Sequence, residues 1–196
     1  FIDKYYLSGA NNSVIFKSEG NYLKTRFITD DKSLLGELKM NSWAFEDINL
    51  GVYNTEQLSK LLNVLADDVK LKLHKADDRA FALEISDGNA SVNYMLSDLS
   101  VINDPPLLKK LPEFEVKLDI DTKFITTFIA GKSALPDTDS FTVITKDDGV
   151  KFVIGYSTIN TNRVTIPVKT ETYEEIERIS FNADLFKEVL MVNKEC

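Results

Sequence analysis

Apolar and polar residues alternate with a period of two along most of the chain, which is the pattern of strands that bury one face. The clearest runs lie at residues 69–73, 81–85, 92–96, 114–120, 141–143 and 164–168. Turn signals rich in Asp, Asn and Gly separate them, at residues 19–21, 76–78, 87–89 and 147–149. Neighbouring strands joined by tight turns predict antiparallel sheets with one face on a core and the other in water.

Four segments have helical spacing instead, at residues 1–7, 55–66, 121–134 and 183–194. In the second of them four leucines recur on one stripe, which predicts a helix with one buried face. Asn54, Asp121 and Asn182 stand at the starts of the last three segments, and side chains of this kind cap helix N-termini. Each of these three helices is expected to follow a strand directly.

The order of predicted elements contains a repeat of strand-helix-strand-strand-strand, present in most of four copies. The first copy is expected to lack its opening strand and the last its closing three. Pro105, Pro106 and Pro112 lie between the second and third copies and disfavour a regular ladder or helix there. The sequence therefore predicts an α+β fold of two similar domains, residues 1–100 and 114–196, joined by a connector at residues 101–113. Helices would lie on one face of antiparallel sheets.

Composition excludes several classes of protein. The 196 residues contain a single cysteine, Cys196, and a single histidine, His74, so neither a disulfide framework nor a zinc site of sulfur and imidazole ligands can form within one chain. No apolar run approaches the roughly 20 residues of a membrane span. There is no phosphate-binding GxxxxGK[ST] loop, so ATP hydrolysis is not expected. These features favour a cytoplasmic protein with no cofactor and no membrane association.

Four pairs of aspartates, at residues 30–31, 67–68, 77–78 and 147–148, could indicate metal binding or acid catalysis. They fall at turns of different hairpins, where Asp is favoured for local hydrogen bonding. We therefore expect neither a metal site nor an enzyme.

Several segments resemble DNA polymerase sliding clamps, nearest to those of T-even-like phages and more distantly proliferating cell nuclear antigen. Residues 46–54 (EDINLGVYN) with 58–62 (LSKLL) look like the strand-into-helix segment of the phage clamps' first domain. Residues 12–18 (NSVIFKS) with 23–26 (LKTR) look like the first hairpin of that domain. Residues 146–152 (KDDGVKF) are similar to a hairpin turn in the second domain of eukaryotic and archaeal clamps. Residues 91–99 precede the connector, as the subunit-edge strand does in that family.

The resemblance implies a ring that encircles double-stranded DNA without reading its sequence and tethers a DNA polymerase. It also implies a homo-oligomer, expected to be a trimer, and loading by a separate ATP-dependent clamp loader in the cytoplasm of a bacterial or infected host cell. The formal net charge of -8 argues against a protein that coats DNA. It is compatible with a ring that has one basic inner wall.

In a clamp the helices line the hole, so the resemblance implies that the lysines of the helical segments face DNA. Lysine supplies the mobile cation that contact with phosphates requires. The alternative is that lysine is simply common on a solvated helix face. The DNA-facing candidates are Lys4, Lys60, Lys123, Lys132, Lys187 and Lys194.

The connector and two strand edges supply the other candidate sites. In this family hydrophobic tails of polymerases and loaders bind under the connector; the alternative is that its apolar residues close the joint between two cores. Pro167 fits an edge strand because it cannot donate to a ladder. The partner-binding candidates are Leu99, Val101, Ile102, Leu107 and Leu108, and the subunit-interface candidates are Val92, Tyr94, Val164 and Ile166.

A second class of function stays open at this point. A non-enzymatic protein of two β-rich domains that binds another protein, or a viral structural component, would have the same strand pattern. The mass in solution separates the two, since a clamp is expected to be a trimer.

Overall fold

The computed structural model describes residues 1–66, 68–77, 79–107, 110–111, 113–146, 149–159, 161–194 and 196, with the backbone alone at residues 171 and 172. It contains mixed helices and antiparallel sheets in two compact units, Phe1–Leu107 (unit 1) and Leu108–Cys196 (unit 2). Residues 101–107 of the predicted connector thus belong to unit 1. The residues that carried predictions but lie outside the described part are Asp67, Asp78, Leu108, Pro112, Asp147 and Asp148.

In its described residues, unit 1 contains two sheets and two α-helices. Its first sheet has the order β3-β2-β1-β4 and its second the order β5-β6-β7. Beyond the end of β7 the backbone N–H of Ser97 donates to the carbonyl of Gly51 at 3.0 Å, which joins the second sheet to β4 of the first. The elements are α1 (Ile2–Tyr6), β1 (Val14–Glu19), β2 (Tyr22–Ile28), β3 (Leu35–Asn41), β4 (Ile48–Val52), α2 (Thr55–Leu62), β5 (Lys70–Ala76), β6 (Arg79–Ser86) and β7 (Ser91–Met95).

Unit 2 contains one described sheet with the order β12-β9-β10-β11-β8. Taken from β11, the order β11-β10-β9-β12 corresponds to β3-β2-β1-β4 of unit 1, and β8 pairs with the far half of β11. Its elements are β8 (Val116–Asp119), α3 (Thr122–Ala134), β9 (Ser140–Lys146), β10 (Gly149–Ile154), β11 (Val164–Tyr173), β12 (Ile179–Asn182) and α4 (Ala183–Met191).

The three predicted helix caps are confirmed. In each, a side-chain oxygen accepts a hydrogen bond from the backbone N–H three residues on, which satisfies one of the unpaired donors of the first turn. The pairs are Asn54 with Gln57 at 2.9 Å, Asp121 with Phe124 at 2.7 Å and Asn182 with Leu185 at 2.8 Å. α2 and α4 end earlier than the leucine and valine spacing predicts, at Leu62 and Met191.

Helix α1 is held to the start of α2 inside the core of unit 1. The fully buried hydroxyl of Tyr5 lies 3.1 Å from Oγ1 of Thr55, itself fully buried. Burial raises the pKa of Tyr5 far above its ordinary value, so the hydroxyl stays neutral and available as a hydrogen-bond partner. The single tryptophan, Trp43, also belongs to this unit, and its Nε1–H donates to Oγ of Ser18 at 3.0 Å.

Phenylalanine rings form the core of unit 2. Phe128 of α3 is fully buried and meets Phe141 and Phe186 edge-on, with ring centroids 5.2 and 5.0 Å apart. The cluster is open on the side of β12, where Phe181 is 48% exposed. A groove of about 240 Å³ with apolar walls lies there, so the apolar stripe predicted for residues 183–194 is only partly covered.

Candidate functional site

Five of the six helix lysines have side chains at the surface of their unit. Lys4 on α1, Lys60 on α2 and Lys123 on α3 are exposed, Lys187 on α4 is half-buried, and Lys194 is exposed just beyond α4. Within each unit the two helices pack together, α1 on α2 and α3 on α4. These five lysines therefore satisfy the condition of solvent access that contact with DNA requires.

Lys132 does not satisfy that condition, and its assignment to a DNA-facing surface is wrong. It is 4% exposed, and its Nζ donates to the carbonyl of Pro136 at 2.9 Å and pairs with Oδ1 of Asp184 at 2.9 Å. Nine residues separate Lys132 from Lys123, which at about 100° per residue places the two on opposite sides of α3. Lys132 thus ties α3 to the first turn of α4.

The outward faces of the helices carry little net positive charge. Lys60 pairs with Glu56 one turn earlier, and the hydrogen bond that the ammonium donates to this carboxylate raises the pKa of the lysine. On α3 the exposed side chains around Lys123 are small or hydroxylated, and the hydroxyls donate to carbonyls four residues back. These donors are Thr126, Thr127 and Ser133, at 2.9, 2.8 and 2.8 Å. Helix faces with so little net charge are suited to weak contacts with phosphates through water and ions, and not to strong direct ion pairs.

The predicted partner-binding residues separate into exposed and buried ones. Leu99, Val101 and Leu107 are 39%, 59% and 67% exposed, respectively. Ile102 is 6% exposed and packs where Gly51 leaves room: a Cβ on that glycine would lie 3.1 Å from Cδ1 of Ile102. Ile102 is therefore a core residue of unit 1, and its assignment to partner binding is corrected.

A cleft of about 450 Å³ opens beside Leu99, between β4 and the segment that follows β7. Its walls are the backbone edge of β4 and residues 96–99, and Arg79 and Asp98 pair at 2.5 Å on its rim. The hydrogen bonds that Asp98 accepts from Ser100 lower its pKa, and the nearby Arg79 adds to this effect. The cleft is lined by polar and apolar residues alike, and the Arg79–Asp98 ion pair lies on its rim.

The side chains of the four subunit-interface candidates face the cores of their units. Val92, Tyr94 and Ile166 are 8%, 3% and 4% exposed, and Val164 is half-buried. The Tyr94 hydroxyl donates to the carbonyl of Asn54 at 3.1 Å, inside unit 1. Their side chains therefore supply no outward contact surface, and the prediction that the strands carrying them pair between subunits concerns the backbone edges alone.

The backbone edges of the same strands are accessible. β7 lies at the edge of its sheet, and in the described residues the half of β11 at residues 164–168 is paired only with β10. The outward side chains on these edges include Asn93, Met95 and Thr165.

One charged surface was not found by sequence reasoning. Lys17, Lys24 and Lys39 lie directly opposite one another on β1, β2 and β3, and Arg26 lies two residues beyond Lys24. Asp104, from the segment after the second sheet, contacts both Lys17 and Arg26. The alternation of Lys24 and Arg26 with buried Leu23 and Phe27 signals an outward basic strand, but the row appears only once the strand register is known.

Among the described residues no three His, Cys, Asp or Glu side chains form a group that could hold a metal ion. In the same part of the chain, none of the helices has both the length and the apolar character needed to cross a membrane.

Comparison with known proteins gives a likeness of fold. No protein-family model matches the chain, and no curated protein matches it. Among solved structures, the chain is similar to the crystal structure of PCNA, the proliferating cell nuclear antigen, from Thermococcus kodakaraensis. The TM-score is 0.71 at 14% sequence identity, over 99% of this chain and 82% of that one. The chain therefore has a PCNA-like fold of helices and antiparallel sheets.

Proposed function

We propose that the chain is the subunit of a sliding clamp, a ring that encircles double-stranded DNA and tethers a DNA polymerase without catalysing a reaction. The observation that carries the proposal is the PCNA-like fold over 99% of the chain. The matching strand orders of the two units support the finer part, in which strand-helix-strand-strand-strand repeats build two similar domains joined at residues 101–113. Within the fold we place the chain nearest to the T-even-like phage clamps.

The ring closes, in this proposal, through backbone pairing between β7 of one subunit and the first half of β11 of the next. An exposed sheet edge is an aggregation hazard unless another strand covers it, and in a closed ring these two edges cover each other in every subunit. Pro167 suits the edge because it has no N–H to leave unpaired. Three subunits form the ring.

DNA passes the five accessible lysines, Lys4, Lys60, Lys123, Lys187 and Lys194, and the contacts run through water and counterions. The weak charge of the helix faces suits a ring whose hold on DNA comes from enclosure. A polymerase and an ATP-dependent loader bind apolar tails at Leu99, Val101 and Leu107, next to the cleft of β4.

Ring closure is tested by a directed disulfide. Asn93→Cys and Thr165→Cys place outward cysteines on the two edges, in a background in which Cys196 is replaced by serine. Oxidation should give covalent trimers, and Asn93→Cys paired with Lys70→Cys on β5 is the matched control. The closed trimer would be refuted if oxidation left only monomers, or if it gave covalent oligomers of every size.

Enclosure is tested with the oxidised ring assembled on a nicked circular plasmid. The ring should survive a wash in high salt and leave when the plasmid is cut once, because a linear molecule has ends. Replacing Lys60, Lys123 and Lys187 with glutamate should reduce assembly on DNA and leave the trimer intact, whereas replacing Lys70 and Lys72 on β5 should not. If high salt released the ring equally from the circular and the linear plasmid, the protein would bind DNA by ordinary ionic contacts and would not enclose it.

A further inference from the structure

The first sheet of unit 1 carries a row of three lysines on its outward face. The strand register sets Lys17 opposite Lys24 and Lys24 opposite Lys39. Residues directly opposite on antiparallel strands have Cβ atoms about 4.5–5.5 Å apart, and like charges there destabilise the sheet. A chain whose formal net charge is -8 nevertheless places three cations in this row.

Asp104 already occupies this surface as an internal carboxylate ligand. Its Oδ2 accepts from Nζ of Lys17 at 2.8 Å, and its Oδ1 accepts from Nη2 of Arg26 at 3.0 Å. The Arg26 side chain is 11% exposed, and its Nη1 is buried with no hydrogen-bond partner among the described residues. A guanidinium binds a carboxylate most strongly through two parallel hydrogen bonds, and Arg26 donates only one to Asp104.

The other nearby groups do not neutralise the surface. Glu37 pairs with Lys24 at 3.1 Å, and the ammonium of Lys39 lies 4.1 Å from the centroid of the Tyr22 ring. The third carboxylate on this face, Glu19, accepts a hydrogen bond from the Tyr22 hydroxyl at 2.6 Å. Four cations thus share three carboxylates, one of which is directed at a hydroxyl.

We propose that this face of the sheet binds an acidic peptide segment of a partner protein, and that Asp104 is an internal competitor for the same cations. The partner's carboxylates contact the lysine row and take the place of Asp104 at Lys17 and at Nη2 of Arg26. A peptide is favoured over DNA because the chain's own ligand at these cations is a carboxylate. The site lies on the sheet and not on the helices, so it goes beyond the proposed DNA-encircling function and does not depend on it.

The test is the binding of fluorescein-labelled hexaglutamate to the full chain at low salt, followed by fluorescence anisotropy. Lys24→Gln with Lys39→Gln should weaken binding by about four- to twenty-five-fold, from about two- to fivefold per exposed ion pair. Lys70→Gln with Lys72→Gln on β5 changes the net charge equally and should have little effect. Asp104→Asn should strengthen binding by about two- to fivefold because it removes the competitor.

Glu37→Gln is the second variant, since it frees Lys24 at an exposed position and leaves the segment around Asp104 in place. It should strengthen binding in the same direction. Equal weakening by the β5 pair, or no strengthening by either Asp104→Asn or Glu37→Gln, would overturn the proposal, because the row would then act only as bulk charge. The proposal would also be overturned if the double variant Lys24→Gln with Lys39→Gln lost more affinity for a short DNA duplex than for hexaglutamate.

Discussion

The contact between buried Lys132 and Asp184 predicts an unequal response when each partner is changed. Asp184→Asn leaves the ammonium of the buried Lys132 side chain with no opposing charge, held by the carbonyl of Pro136 and a neutral amide. Lys132→Met removes the ammonium and keeps an apolar stem of similar length. A carboxylate left behind at position 184 is 60% exposed and can be hydrated.

The magnitudes follow from that difference in exposure. A hydrogen bond to a charged group contributes about 1.5–3 kcal/mol, and the exposure of Asp184 reduces this through solvent screening. Asp184 also lies in the first turn of α4, where a negative charge adds about 0.3–1 kcal/mol. We expect Asp184→Asn to lower the free energy of unfolding by about 2 kcal/mol, and Lys132→Met by less than about 1 kcal/mol, because an apolar replacement leaves no buried charge.

Urea denaturation at neutral pH, followed by circular dichroism, measures both changes. Lys123→Met, the exposed lysine of the same helix, is the control and should stay within about 0.5 kcal/mol of the parent. If Lys132→Met were as destabilising as Asp184→Asn, or if Asp184→Asn matched the control, the ammonium would not be buried against this carboxylate. A double-mutant cycle should then also give no coupling.

Three further predictions concern stability. Gly51→Ala should lower the free energy of unfolding by about 1–3 kcal/mol in a urea titration, because its Cβ would lie 2.4 Å from the backbone carbonyl oxygen of Ser97; an unchanged midpoint would mean that the bridge between the sheets is not formed. A double-mutant cycle of Tyr5→Phe and Thr55→Val should give a coupling of about 1 kcal/mol, and additive changes would argue against their hydrogen bond. Backbone N–H groups of Ala66, Ala90 and Asn89 lower the pKa of Asp87 from 3.8 to about 2, so its carboxylate stabilises the fold above about pH 4 and this contribution is lost as the pH falls through about 2. Asp87→Asn should therefore lower the free energy of unfolding in a urea titration at neutral pH, and its difference from the parent should shrink at acidic pH. If this difference did not change with pH, the lowered pKa of Asp87 would be contradicted.

Local signals in the sequence predicted the local structure well. Asn54, Asp121 and Asn182 cap three helices because a cap depends only on a side chain and an N–H three residues away. The alternation of apolar residues predicted the buried side chains of β6 and β7 at Leu83, Ile85, Val92 and Tyr94, whereas Phe81 and Phe114, which begin two of the predicted runs, are exposed. Helix ends were less accurate, since the last turns of α2 and α4 depend on packing that the leucine and valine spacing does not specify.

The errors at the candidate sites came from longer-range contacts. Lys132 is buried because Asp184, far away in the sequence, offers it a carboxylate, and no local pattern contains that partner. Val92 and Tyr94 follow the core alternation, so their side chains belong to the core and the predicted pairing between subunits would use the backbone edge of their strand. The row of Lys17, Lys24 and Lys39 depends on the register between three strands, which turns and packing set together.

The hydrogen bond from Trp43 to Ser18 has a practical consequence for spectroscopy. Because Trp43 is the only indole in the chain, its fluorescence emission follows the melting of unit 1, whereas the phenylalanine core of unit 2 is silent at that wavelength. Circular dichroism in the far ultraviolet reports on both units. Transitions that differ between the two signals would assign each step of unfolding to its own half of the chain.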